Sequence, residues 1–218
     1  MIIPGDLAET LNYSAQHLIE HGRMAIAEKG HFRLALSGGS TPKAIYQLLA
    51  TRYRNALDWN QVELFWGDER AVPLTDPQSN YKMAMEAGLD TLFIPSIHIH
   101  PMKADQNIAQ QADEYTQIVN HQLDYIMLGM GEDGHTASLF PDTEALKETS
   151  RWVVPNWVPT LNTWRMTLTF PALASTLCIF TVTGKNKAAR LKEVLTPGCT
   201  LPAARVKAEW IVDADAGN

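Results

Sequence analysis

The segment Gly129-Met130-Gly131-Glu132-Asp133-Gly134-His135 places an imidazole two residues after a carboxylate in a glycine-rich stretch. An imidazole titrates near neutral pH and can take a proton from water. A carboxylate beside it can orient the ring and stabilise its charged form. Three further polar clusters accompany it. Ser37-Gly38-Gly39-Ser40-Thr41 suits an anion: its glycines allow close backbone approach, its hydroxyls donate, and a helix opened by Ser40 and Pro42 adds a positive dipole end. Asp68-Glu69-Arg70 is a compact charged triplet in which the arginine suits an acid or an anionic ligand. Gly184-Lys185, with Lys187 and Arg165, offers the positive charge that a phosphate demands.

Several familiar chemistries are excluded by spacing. The first cluster lacks the Gly-Lys-Ser/Thr of a Walker loop. Gly129, Gly131 and Gly134 spell G-x-G-x-x-G, but Glu132 and Asp133 would put negative charge at the pyrophosphate. No acid follows about 20 residues on, since Glu193 is the next after Glu148. Nicotinamide binding is therefore not expected. His98 and His100 can share one side of a strand, yet two ligands do not make a metal site. A Gly-x-Ser-x-Gly elbow is missing, and Ser138 reads as a polar residue at a helix start.

The elements that must position these clusters are legible as alternating apolar runs and amphipathic stretches. Asp6 caps a first helix carrying Leu7, Leu11, Leu18 and Ile26, which Gly30 stops. Strands are expected at Phe32 to Leu36, Val62 to Trp66, Ile97 to His100 and Tyr125 to Leu128. More are expected at Trp152 to Val154, Met166 to Phe170, Leu177 to Thr183 and Trp210 to Val212. Helices are expected from Ser40 with Ile45, Leu48 and Leu49 inward, near Tyr81 to Ala87, over Asp105 to Gln122, and over Lys187 to Leu195. Pro155 to Thr163 reads as a loop. This alternation predicts an α/β fold, a mostly parallel sheet covered by helices on both faces in a single domain over residues 1–218. All four clusters directly follow expected strands. In a parallel sheet they would share the carboxyl rim, where ligands bind.

Composition agrees with a compact enzyme-sized domain. Of 218 residues 45% are apolar and 19% charged, too apolar for a disordered chain. A fold of this size hides roughly 70% of its unfolded surface. The net charge of −6 disfavours nucleic acid and anionic membrane as partners. Cys178 and Cys199 form neither a zinc knuckle nor a disulfide scaffold, and Cys178 sits in an apolar run as core. Neither a targeting segment nor a membrane-length apolar run is visible, so the expected location is cytoplasmic.

The runs LALSGGSTPKAIYQLL, FWGDERAVPLTDPQSNYKMA and DYIMLGMGEDGHTASLFP resemble the 6-phosphogluconolactonases. RMTLTFPALASTLCIFTVTGKNKA and LPAARV extend the likeness over nearly the whole chain. The related glucosamine-6-phosphate deaminases carry Asp-Glu-Tyr and Gly-His-Ile-Ala-Phe-Asn where this chain has Asp68-Glu69-Arg70 and Gly134-His135-Thr136-Ala137-Ser138-Leu139. Both departures favour the lactonase branch over a deaminase-like isomerase. A non-catalytic sugar-phosphate sensor would bring a further domain, for which one α/β pattern leaves no room.

The resemblance implies a Rossmann-like fold and hydrolysis of 6-phospho-D-glucono-1,5-lactone to 6-phosphogluconate, in the oxidative pentose phosphate pathway, without metal or organic cofactor. It implies His135 as catalytic base with Asp133 as its partner. It places Ser37, Gly38, Gly39, Ser40, Thr41, Asp68, Arg70, Arg165 and Lys185 around the substrate, with the choice between Lys185 and Lys187 open. It implies a small sugar-phosphate lactone as partner and no obligate protein partner. It assigns no role to the tryptophan-rich stretch from Trp152 to Trp164.

Overall fold

The structure is a computed structural model that describes residues 1–119 and 123–217. Helix α1, Leu7–Lys29, is closed at its start by a reciprocal pair. Asp6 accepts from the Glu9 N–H, and Glu9 accepts from the Asp6 N–H. Gly30 ends the helix at φ 78°, a conformation that costs glycine nothing. Strand β1, Phe32–Leu36, follows, then helix α2, Ser40–Ala50. Strand β2, Val62–Trp66, leads through Gly67 into β3, Asp68–Arg70, and Ser79 caps helix α3, Asn80–Glu86. Helix α4, Ile108–Val119, precedes β4, Tyr125–Leu128. The expected end of α4, through Gln122, lies outside the described residues.

Strands β5, Val153–Val158, and β6, Thr163–Leu168, form a hairpin, followed by α5, Phe170–Ala174. Strand β7, Leu177–Val182, helix α6, Ala188–Val194, strand β8, Glu209–Val212, and α7, Ala214–Gly217, complete the described chain. Strands β2-β1-β4-β7-β8 form a parallel sheet in that order. Every residue of β1 and β4 is buried, as strands covered on both faces must be. An antiparallel sheet of order β3-β6-β5 sits beside the first. Gly67 joins the two: its N–H donates to the Leu36 carbonyl, and its own carbonyl accepts from the Leu168 N–H.

Three expectations are corrected. Ile97 to His100 is no strand: Ser96–His98 form a 3-10 turn, and only Ile99 bridges to Leu64. The stretch from Pro155 to Thr163 is no loop; it holds most of β5, a 3-10 turn at Pro159–Leu161 and Asn162 in the left-handed region. Pro155 is tolerated because β5 is the outer strand of its sheet, where a missing N–H costs no ladder bond. The strand expected at Met166 to Phe170 begins earlier and ends at Leu168, because Phe170 and Pro171 start α5. In addition, Leu7 of α1 is exposed rather than packed inward.

The core is centred on β1, where Leu34 is 1% exposed between Leu64 of β2 and Tyr125 of β4. Leu34→Ala is expected to destabilise the protein by about 3 kcal/mol through lost burial and a residual cavity, read from the urea midpoint.

Candidate active site

The chain leaves β1 toward β2 on one side, and its later strands run from β4 to the other side. The crevice between the ends of β1 and β4 is therefore a topological switch point, the place where open parallel sheets bind ligands. A cavity of about 250 Å³ lies there, lined by Ser37, Gly38, Asp68, Arg70, His135 and Lys187 among others. A neighbouring cavity of about 150 Å³ is lined by Gly38, Gly39, Ser40, Thr41, Thr183 and Lys187. Together they reach the lower end of the roughly 300–1,000 Å³ typical of small-molecule sites.

The loop after β4 is wound tightly around a histidine–carboxylate pair. His135 Nδ1 lies 2.6 Å from Asp133 Oδ1, and the same oxygen accepts the His135 N–H at 3.1 Å. The Gly131 N–H donates to the His135 carbonyl, and Gly134 turns at φ 82°. Phe140 stacks on the imidazole with ring centroids 3.9 Å apart. Nδ1 is thus occupied, and Nε2 is the ring nitrogen left for chemistry. Burial alone would raise the Asp133 carboxyl, but hydrogen bonds from the His135 side chain and backbone outweigh it and hold the group at about 2.

The loop after β1 presents donors. Tyr46 of α2 is fully buried and grips Ser37 on both sides, accepting from its N–H at 2.9 Å and donating to its carbonyl at 2.8 Å. Burial pushes the Tyr46 phenol far above its usual range, so it remains a donor. The N-cap of α2 is Gly39 at φ 105°, not Ser40, and its side chain can cap nothing. The N–H groups of Ser40 and Thr41 are therefore left without a side-chain cap at the positive end of the helix dipole, and both residues line the smaller cavity. Thr41 Oγ1 contacts Thr183 Oγ1 at 2.7 Å, joining this loop to the end of β7.

The charged triplet after β2 divides its work. Glu69 is buried and accepts from the N–H groups of Arg70, Asn80 and Tyr81 and from Ser79 Oγ, which fixes the start of α3. Burial raises its carboxyl despite those donors. Asp68 accepts from Ser138 Oγ at 2.6 Å and from Asn80 Nδ2 at 3.3 Å. Arg70 donates to the Gln78 carbonyl and lies directly across from Arg165 in the β3–β6 register. Burial, and then Arg70, push the Arg165 guanidinium below its ordinary value.

The structure gathers Ser37, Gly38, Gly39, Asp68, Arg70 and His135 at one cavity, with Asp133 behind the imidazole. Ser40 and Thr41 line the adjoining one. Arg165 lines neither and lies across from Arg70 on the neighbouring strand. Lys185 is exposed and lines neither, whereas Lys187 lines both. The two lysines share the 3-10 turn Lys185–Lys187 and leave its axis in directions about 120° apart, and only Lys187 lines the crevice. Sequence reasoning missed Tyr46, Asn80 and the role of Ser138. The Ser79-Asn80 helix start was a usable signal; the Tyr46 contact depends on how α2 docks. Among the described residues, no group of three His, Cys, Asp or Glu side chains is placed to hold a metal ion.

With the site in place, comparison with known proteins gives a consistent result. Residues 5–212 match the family described as glucosamine-6-phosphate isomerases/6-phosphogluconolactonase. The chain belongs to this family. It is 38% identical over 212 residues to a 6-phosphogluconolactonase of Nostoc sp., covering 88% of this chain and 86% of that protein. The solved 6-phosphogluconolactonase from Trypanosoma cruzi superposes with a TM-score of 0.86 at 29% identity, over 99% of this chain and 94% of that one. The one from Thermotoga maritima gives 0.85 at 30% identity, over 97% and 98%.

Gly131 has no room for a side chain: an added Cβ would lie 2.1 Å from His135 Nδ1 and 2.6 Å from Asp133 Oδ1. Gly131→Ala is expected to displace the pair and cut turnover about 100-fold or more while circular dichroism stays native-like. The Asp133 carboxyl should titrate by NMR at about 2 and move up toward 3.8 in His135→Ala. Its folded value is depressed, so its contribution to stability is complete above the unfolded value and lost as pH falls through about 2.

Proposed function

We propose that the protein hydrolyses 6-phospho-D-glucono-1,5-lactone to 6-phosphogluconate, the lactonase step of the oxidative pentose phosphate pathway, using His135 to activate water. The observation that carries this reading is the 2.6 Å His135–Asp133 bond beside a cavity that Lys187 also lines and that adjoins a second one at the N-terminus of α2. Membership of the family and likeness to curated lactonases support the substrate.

The steps follow from the geometry. A phosphate seated at the N-terminus of α2 meets the N–H groups and hydroxyls of Ser40 and Thr41 and the Lys187 ammonium. The sugar ring then lies along the larger cavity, toward Asp68, Arg70 and His135. Neutral His135 takes a proton from water at Nε2 as the oxygen attacks C1, and Asp133 stabilises the imidazolium. Negative charge on the former carbonyl oxygen is met by donors in the cavity, of which Arg70 is the charged one on the ring side. Collapse of the tetrahedral intermediate breaks the bond from C1 to the ring oxygen, which takes the proton from His135. One water is added, the acid forms, and the histidine is neutral again. A lactone is activated enough that no covalent nucleophile is required. The balance needs no metal and no organic cofactor.

A small phosphorylated sugar is the partner this site suits. Such a charged metabolite does not cross a bilayer unaided, so a cytoplasmic location belongs to the same reading. Among the described residues no helix is long and apolar enough to cross a membrane.

His135→Ala should lower kcat by about 10²- to 10⁴-fold, while the affinity for 6-phosphogluconate changes little. A pH-stat assay on freshly prepared lactone, with calorimetric titration of the product, checks both. Unaltered turnover overturns the mechanism. Ammonia release from glucosamine 6-phosphate without lactone hydrolysis would move the protein to the deaminase branch.

A further inference from the structure

The acid Glu132 lies inside the loop that carries the dyad, yet takes no part in the chemistry above. Its carboxylate accepts from Asn186 Nδ2 at 2.6 Å. Its backbone carbonyl accepts from Arg190 Nε at 2.7 Å, and Arg190 Nη1 in turn reaches Glu193 at 2.6 Å. Asn186 is the middle residue of the turn Lys185–Lys187, and Arg190 lies in the first turn of α6. From the opposite side, both carboxylate oxygens of the buried Asp213 hold the Gly184 N–H at the start of that turn.

Among the described residues the Lys187 ammonium, by contrast, has no hydrogen bond or ion pair, although Lys187 lines both cavities and its N–H donates to the Gly184 carbonyl. A lysine is a point charge on a flexible stem, so its reach is set by the backbone that carries it. That backbone is pinned to the dyad loop through Glu132. The arrangement also answers an electrostatic difficulty. An acid beside an anion site would repel the ligand, but here its charge is turned outward onto Asn186 while Arg190 sits against its peptide.

We propose that Glu132 is a positioning residue: it ties the His135 loop to the turn bearing Lys187, so that the cation and the general base keep a fixed separation along the substrate. The proposal rests on the reading of Lys187 as the phosphate cation.

The test is steady-state kinetics on the lactone with Glu132→Ala, Glu132→Gln, Asn186→Ala and the Ala/Ala double variant. Glu132 and Asn186 are exposed, so folding is preserved, and thermal unfolding monitors it. Glu132→Ala should raise KM about three- to tenfold with kcat within about twofold, the size of one lost hydrogen bond. Glu132→Gln keeps the acceptor oxygen and should restore a wild-type KM. Asn186→Ala should match Glu132→Ala, and the double variant should be no worse than either. A structural role alone would lower the unfolding temperature and leave KM in place. An unchanged KM in Glu132→Ala overturns the proposal. So does a Gln variant as impaired as the Ala variant, which would mean charge rather than positioning, and so does additivity. Lys187→Ala examines the underlying reading: an unchanged KM there refutes the phosphate role of Lys187. A raised KM there, with Glu132→Ala at wild type, overturns only the role given to Glu132.

Discussion

Everything at the site depends on one topological constraint: β1 and β4 are neighbours in the sheet, yet the chain departs from them in opposite directions. No connection can close over the gap between their carboxyl ends. The two loops that flank it must therefore satisfy their polar groups with each other, with side chains or with a ligand. Tyr46 does part of this for the loop after β1, and the Gly131–His135 turn does it for the loop after β4. What remains is the uncapped start of α2 and an imidazole nitrogen. Burial of β1 and β4 on both faces anchors the strand ends that carry both loops, as the proposed general base would need to meet a water and a carbonyl in one geometry.

The smaller antiparallel sheet supplies the wall. Gly67 transfers the chain from β2 into β3 without a gap, bonding to Leu36 on one side and Leu168 on the other. Asp68 and Arg70 alternate with Glu69 along β3, so that the former two share the face toward Ser138 while Glu69 turns away to organise α3. One triplet therefore builds the cavity and anchors the element behind it.

The sequence made the parallel strands readable because strands buried on both faces become short apolar runs, as Tyr125 to Leu128 shows. Their following polar clusters could then be placed on one rim by the rule for parallel sheets. Of the β5–β6 hairpin only the ends at Val153-Val154 and Met166 to Leu168 were readable; the rest was not, since Pro155, the buried Asn156 and two exposed tryptophans obey neither the apolar-run nor the alternating pattern. Asn156 occupies its place for tertiary reasons: its Nδ2 donates to the Ser138 carbonyl and to Thr143 Oγ1, and its Oδ1 accepts from the Ala145 N–H. The preference for Lys187 over Lys185 was equally hidden, because it depends on the phase of a single 3-10 turn. Composition and spacing cannot set that phase; the Gly184 turn and its grip by Asp213 do.

Arg70 and Arg165 face one another across β3 and β6, an arrangement that like charges disfavour. Burial and then Arg70 push the Arg165 guanidinium below its ordinary value, while Asp68 and Glu69 offset part of the repulsion. The protein therefore holds positive charge on this wall at a cost that a bound anion would relieve. This resolves the apparent conflict between a net charge of −6 and an anionic substrate. Acids elsewhere govern the total, and they disfavour long polyanions. Along the crevice the positive charge comes from Arg70, Lys187 and the α2 dipole, with Arg165 next to Arg70 outside both cavities and Asp68 opposing them. In the proposed reaction, a charge that develops only as water attacks the carbonyl would meet groups already oriented for it, and binding energy from the distant phosphate would hold the reacting carbon against His135.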